Sequence, residues 1–94
     1  MGAVEKRPEK VWKNGCKYDG EWTQNRRHGT GKFTWPSGTV YDGEFQNDKR
    51  HGKGKISYDG GREYDGMWKN DEFHGQGKTL FGDGTSYDGE YVQG

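Results

Sequence analysis

Aliphatic side chains are scarce in this 94-residue chain. Only 26% of it is hydrophobic, and aromatic residues alone supply 15%, as four Trp, six Tyr and four Phe. No apolar run approaches the roughly 20 residues that span a bilayer, and the first residues, MGAVEKRPEK, lack the apolar stretch of a secretory signal. Myristoylation is excluded as well, because Gly2 is followed at position six by Lys6 and not by Ser or Thr. Neither sign of charge prevails: 15 Lys and Arg balance 15 Asp and Glu. That balance removes bulk electrostatics as an argument for nucleic acid. A single cysteine, Cys16, cannot close an internal disulfide, so a reducing, cytoplasmic setting is the default expectation. What the chain has in abundance is glycine, 18 residues of 94, against about 7% in ordinary proteins.

Glycine-rich composition can mean disorder, but the order of residues points elsewhere. Tyr-Asp-Gly occurs at Tyr18, Tyr41, Tyr64 and Tyr87, three steps of 23 residues. His-Gly-x-Gly-Lys keeps that step at His28, His51 and His74, and a turn glycine keeps it at Gly15, Gly38, Gly61 and Gly84. Three residues before each of those glycines stands an aromatic: Trp12, Trp35, Tyr58 and Phe81. Four residue types in one register define a repeat array whose unit is one supersecondary element. Units 18–40, 41–63 and 64–86 are complete, 87–94 begins a fourth, and 10–17 reads as a partial cap. Residues 1–9 form a charged segment expected to be mobile and to lie outside the array. Because the sequence stops part-way through a unit, a longer array is the expectation.

Within a unit the period is two. In Tyr18-Asp19-Gly20-Glu21-Trp22 the rings sit four apart around a glycine with acids between, and Gly31-Lys32-Phe33-Thr34-Trp35 alternates again. This is the signature of β-strands. Pro36-Ser37-Gly38-Thr39 suits a tight turn, and the polar stretch from Gln46 to Gly52 reads as a longer connection. Glycine and turn residues interrupt every helical window. The expected fold is all-β: an elongated, single-layer antiparallel meander of about eight strands, two per unit.

These motifs carry a resemblance. Y-D-G-E-W at 18–22, H-G-T-G-K at 28–32 and G-x-x-Y at 38–41 are similar to MORN (membrane occupation and recognition nexus) repeats over roughly residues 10 to 94. The resemblance implies a curved sheet of β-hairpins. It also implies roles as varied as ciliary and cytoskeletal scaffolding, junctional membrane tethering and regulatory arms on larger enzymes.

Alternation sorts the side chains to two faces. Tyr18, Gly20, Trp22, Phe33 and Trp35 share an aromatic face, whereas Asp19, Glu21, Lys32 and Thr34 share a charged one. Stacking units sets Lys32, Lys55 and Lys78 beside Asp19, Glu21, Asp42, Glu44, Asp65, Asp88 and Glu90, as cross-strand ion pairs of ~0.2–1 kcal/mol each. An open strand face offers no water-poor cleft to split carboxylate pKa values, so this is no catalytic pair. Gly20, Gly43, Gly66 and Gly89 leave a trough on the aromatic face that either the array's own rings or a partner can fill. A single layer has no second layer to hide its rings. The expected docking residues are therefore Tyr18, Trp22, Trp35, Tyr41, Phe45, Tyr58, Tyr64, Trp68, Phe81 and Tyr87.

Other constellations carry less. His28, His51 and His74 recur every two strands, ~9–10 Å apart, too far to share one zinc; each is expected to bond backbone groups in its own long loop. Gly75-Gln76-Gly77-Lys78-Thr79 lacks the preceding glycine and the following helix of a phosphate-binding loop. Cys16 has no nucleophile partner. Arg26, Arg27, Lys49 and Arg50 make one loop edge basic, a candidate contact for anionic lipid or an acidic protein surface. The sequence thus predicts a non-catalytic protein-interaction scaffold without metal or cofactor. Its partner would be a helix or extended segment of another protein on the aromatic face, or a second copy of the chain. Peripheral binding of anionic phospholipid and a regulatory arm of an enzyme are the alternatives.

Overall fold

The computed structural model describes residues 4–92 and contains no helix among them. Nine strands form one antiparallel sheet: β1 Glu5–Lys6, β2 Lys10–Val11, β3 Lys17–Thr23, β4 Arg26–Thr34, β5 Val40–Gln46, β6 Lys49–Ser57, β7 Glu63–Lys69, β8 Glu72–Leu80 and β9 Ser86–Tyr91. From β3 to β9 each strand pairs with the next, and β1 and β2 together line the outer side of β3. Its principal-axis extents are 40 × 28 × 16 Å. The expected meander is present, with one shorter connection and one longer edge than the sequence suggested.

The shorter connection is the one after Gln46. Strand β5 turns into β6 over Asn47 and Asp48 alone, both at positive φ (49° and 71°). Gln24-Asn25 and Asn70-Asp71 repeat this geometry. Two residues at positive φ twist a hairpin in the hand its strands require, and Asn and Asp tolerate that region better than other side-chain-bearing residues. The stretch from Lys49 to Gly52 is therefore strand, not loop. The other connection is as expected: Gly38 N–H donates to the Trp35 carbonyl at 3.0 Å, with Gly38 at φ +97°.

The longer edge is at the N-terminal side. Glu5 pairs with Trp22 and Lys6 with Glu21, while Lys10 pairs with Tyr18 and Val11 with Lys17. Residues assigned to a mobile segment outside the array thus include strand β1, interrupted around Pro8, which has no N–H to give. Residues 1–3 and 93–94, including the last of the partial fourth unit, lie outside the described residues.

The core is a ribbon of rings on one face. Tyr18, Tyr41 and Tyr64 are each 0% exposed. Each lies over a pair of glycines facing one another across a hairpin: Gly20 and Gly31, Gly43 and Gly54, Gly66 and Gly77. The hydroxyls of Tyr18 and Tyr41 donate to the carbonyls of Glu21 and Glu44 at 2.7 Å, and that of Tyr64 to Met67 at 2.6 Å. Those carbonyls belong to the residues at which the register shifts by a β-bulge, where the ladder leaves backbone groups unpaired. The ring fills the trough while its hydroxyl satisfies the bulge. A Cβ on Gly54 would come within 2.5 Å of Tyr41 Cζ.

Burial, opposed by the positive charge of Arg27, pushes the Tyr18 phenol up to about 12, and burial raises Tyr41 and Tyr64 as well. Unfolded tyrosines ionise near pH ~10. The stability these rings confer is therefore full below that pH and is lost as pH rises through about 12. Denaturant midpoints measured from neutral pH upward should hold until about pH 10 and then fall, and a midpoint unchanged at pH 12 would contradict the buried, neutral phenols. Gly54→Ala should lower stability by about 1–3 kcal/mol through overpacking, read as a shifted urea midpoint. Alanine at the exposed turn residue Ser37 serves as the control.

Candidate functional site: the aromatic face and its rim

The ten residues expected to form a docking surface divide by burial. Tyr18, Tyr41, Tyr64, Trp22, Phe45 and Trp68 are all buried, the last three at 7%, 5% and 3% exposure. They are core and not contact surface. The array's own rings fill the trough, each tyrosine meeting one ring from its own strand and one from the next repeat. Tyr41 meets Phe45 and Trp68 edge-on, with centroids 5.0 and 5.2 Å apart, a favoured aromatic geometry. Trp35 and Tyr58 are half-buried against this core, and Phe81 and Tyr87 are exposed.

The basic edge is likewise reassigned. Arg27 and Arg50 do not stand on a free loop rim, because their strands bring them onto the aromatic face. Arg27 Nε donates to Asp48 Oδ1 at 3.1 Å and its guanidinium lies 5.0 Å from the Phe33 ring centre. Arg50 repeats this with Asp71 at 3.0 Å and with Trp68 at 4.7 Å. Each aspartate also accepts the backbone N–H of its arginine at 2.8 Å. The turn of one hairpin is thereby tied to the preceding hairpin, and the guanidinium planes roof the rings through cation–π contact. Arg26 and Lys49 are exposed, at positions flanking these clamps. In the third repeat Phe73 takes the arginine's place and stacks on Tyr64 at 3.9 Å and 9°.

Two recesses open between the clamps and the turn aromatics. The first, about 590 Å³, is bounded by Trp12, Trp22, Asn25, Arg27 and Asp48, with an outer wall from Arg7 to Lys10. The second, about 180 Å³, is bounded by Trp35, Phe45, Asp48, Arg50 and Asp71. A shift of 23 residues converts each inner boundary residue of the first into its counterpart in the second. The face therefore carries one recess design repeated across the sheet, floored by a buried ring and flanked by a half-exposed tryptophan and an Arg–Asp clamp. Trp12 and Asp48 were not foreseen, although Asn25, Asp48 and Asp71 hold the 23-residue register and could have been paired with the arginines by spacing.

The opposite face carries the expected charge ladder in register. Asp19 faces Lys32, which faces Asp42, and the alternation continues through Lys55, Asp65 and Lys78 to Asp88. Among the described residues only Lys55 of these closes a direct ion pair, with Glu63 at 3.1 Å. Glu21 and Glu44 leave the ladder at the bulges and accept the N–H groups of Thr30 and Lys53 at 2.8 and 2.9 Å. The Thr30 N–H bond, with a second from the Thr30 hydroxyl at 3.0 Å, holds the Glu21 carboxyl below its usual range. His28, His51 and His74 stand on strands and not in loops. Nδ1 of His28 and of His74 is buried without a hydrogen bond, so the expected backbone bonding through loops is not what positions them. Among the described residues, no three His, Cys, Asp or Glu side chains are placed to hold a metal.

Comparison with known proteins gives a match to the MORN repeat family model at residues 18–40, 41–62 and 64–86. A search of curated proteins returned no match.

Burial and clamp geometry both have measurable consequences. Trp68→Ala should cost about 3–5 kcal/mol of stability, so a loss of binding in that variant would report unfolding. Asp71→Ala and Arg50→Ala should each cost about 1 kcal/mol. Combined, they should cost less than the sum, since both remove the same clamp; strict additivity in the denaturant midpoints would show that the clamp does not couple the hairpins.

Proposed function

Because the chain belongs to the MORN repeat family, we propose that it is a protein-interaction module whose partner segment runs across the aromatic face through the two recesses. MORN repeats in general serve protein–protein or membrane interactions, and proteins built from them are generally non-catalytic repeat modules. The observation that carries this reading is the repeated recess with its half-exposed Trp12 and Trp35 rings. Tryptophan and arginine are favoured interface anchors, and both line the recesses, the tryptophans half-buried against the core and the arginines ion-paired over its rings. Equivalent sites lie two strands apart, ~9–10 Å, a step that an extended or helical segment can match with side chains at regular intervals. The first recess, being the larger, takes the bulkier anchor. A cytoplasmic ciliary or cytoskeletal assembly is the setting the family suggests.

The clamps weigh against lipid as the ligand. Arg27 and Arg50 are neutralised by Asp48 and Asp71, which leaves Arg26 and Lys49 of the four expected basic contacts. At about 1 kcal/mol per basic residue near an anionic surface, two are too few to hold the module there.

A photoreactive benzoylphenylalanine placed at position 35 on the aromatic face, or at 55 on the charged face, distinguishes the readings in the native cell. Position 35 should give adducts that map to one segment of one protein, and position 55 should not. Adducts from both positions alike, or only lipid adducts, would reject the proposal.

A further inference from the structure

Trp22 and Trp68 hold the same place in repeats two units apart, but only one of the two indoles is satisfied. Trp68 is buried and its Nε1 donates to the Gly54 carbonyl at 3.0 Å. Trp22 is buried too, yet its Nε1 has no hydrogen bond among the described residues. A buried donor without an acceptor is costly. Two repeat steps before Gly54 stands Pro8, so the missing acceptor belongs to the strap that joins β1 to β2.

That strap is out of register. Strand β2 keeps the repeat pairing, Lys10 with Tyr18 as Phe33 with Tyr41. Gly29 pairs with Phe45 and Gly52 with Trp68, so Lys6 should meet Trp22, but Glu5 does. The repeat register would set Pro8, which has no N–H, against Gly20. It would also set Glu9 against Asp19, where the other repeats oppose lysine to aspartate. The slip avoids both contacts and turns a side chain to the other face. Arg7 lies 5.2 Å from the Trp22 ring centre, whereas its equivalents Thr30 and Lys53 bond Glu21 and Glu44. Pro8 and Glu9 thus hold the strap away as the outer wall of the first recess, with Trp22 on the inner side.

We propose that the occupant of the two recesses is a polyproline-II segment, which lays one proline in each and accepts the Trp22 Nε1–H on a backbone carbonyl. This rests on the face reading and narrows it. Spacing is the first argument. The recesses recur every two strands, ~9–10 Å, whereas same-side residues of a β-strand recur at about 6.6 or 13 Å. A polyproline-II helix returns to one side every three residues, about 9.3 Å. The unpaired indole is the second. An α-helix covers about 10.5 Å in seven residues, but its carbonyls are committed to its own N–H groups; those of a polyproline-II segment are free. Charge is the third. Arg7, Arg27 and Arg50 are closed on Glu5, Asp48 and Asp71, which favours a neutral anchor over a charged one. Proline segments dock on aromatic-lined grooves, and Trp12 and Trp35 are half-buried rings at the recess walls. Access to Trp22 requires only that Arg7 lift from its ring, and β1 pairs over two residues alone.

Proton NMR of the 94-residue chain, titrated with decaproline, tests this through the tryptophan indole signals. Without peptide, the Trp22 indole N–H should exchange with water at least tenfold faster than that of Trp68. Saturating decaproline should slow Trp22 at least tenfold and leave Trp68 unchanged, which also reports an intact fold. Triproline, long enough for one recess, should bind at least tenfold more weakly. Pro8→Gly combined with Glu9→Lys restores the repeat register. It should protect the Trp22 indole without peptide and weaken decaproline binding at least tenfold. A Trp22 indole unmoved by saturating peptide would overturn the proposal, as would equal binding of triproline or an undiminished affinity in the double variant. If decaproline does not bind while adducts from position 35 still map to one protein segment, the polyproline assignment falls and the face reading stands.

Discussion

One contact sets the terms for the rest of this sheet: a tyrosine ring lying flat across two glycines that face each other on adjacent strands. A single-layer sheet has nothing to pack against, yet rings standing upright from it would leave most of their surface in water. Laying the ring down against bare backbone makes the sheet its own second layer. The arrangement needs glycine on both strands, because a side chain on either would meet the ring or the opposite backbone. It also needs a polar partner for the buried hydroxyl. The bulge supplies that partner, so the irregularity of the ladder and the chemistry of tyrosine are one solution.

From that contact the other features follow in order. The ring of one repeat is finished only when the next repeat lays its own aromatic against it, so stability is shared between neighbours, as in other repeat architectures. The Arg–Asp clamps act on the same junction from above, joining each turn to the hairpin before it and roofing the rings with a planar cation. In the third repeat Phe73 achieves the cover without charge, by stacking on Tyr64. Two solvent-facing devices, one ionic and one apolar, thus serve one packing requirement.

The 23-residue period, the antiparallel meander, the two faces and the tight turn at Gly38 were all legible in the sequence, because repetition shows the same alternation three times over. Which aromatics remain accessible was not. Tyr18 and Trp22 look like surface anchors when the sheet is imagined as a flat ribbon, and they are buried because the glycine trough lets rings recline. The arginines at 27 and 50 look like a basic rim when the connection after Gln46 is taken as long. A two-residue turn instead pulls them onto a strand and over the rings. Both misreadings have one source: alternation gives the direction of a side chain but not how far it tilts along the sheet. Tilt is set by contacts with the adjacent repeat.

The face of this sheet is therefore divided between core and recess. The core has taken the large rings for itself, and what stays open is the space between a half-exposed tryptophan and an ion-paired arginine, repeated at the spacing of a hairpin. Under the proposed reading, a partner would be selected by the interval between its anchors more than by any single contact. A sheet one layer thick can keep these recesses open because its stability comes from contacts between adjacent repeats.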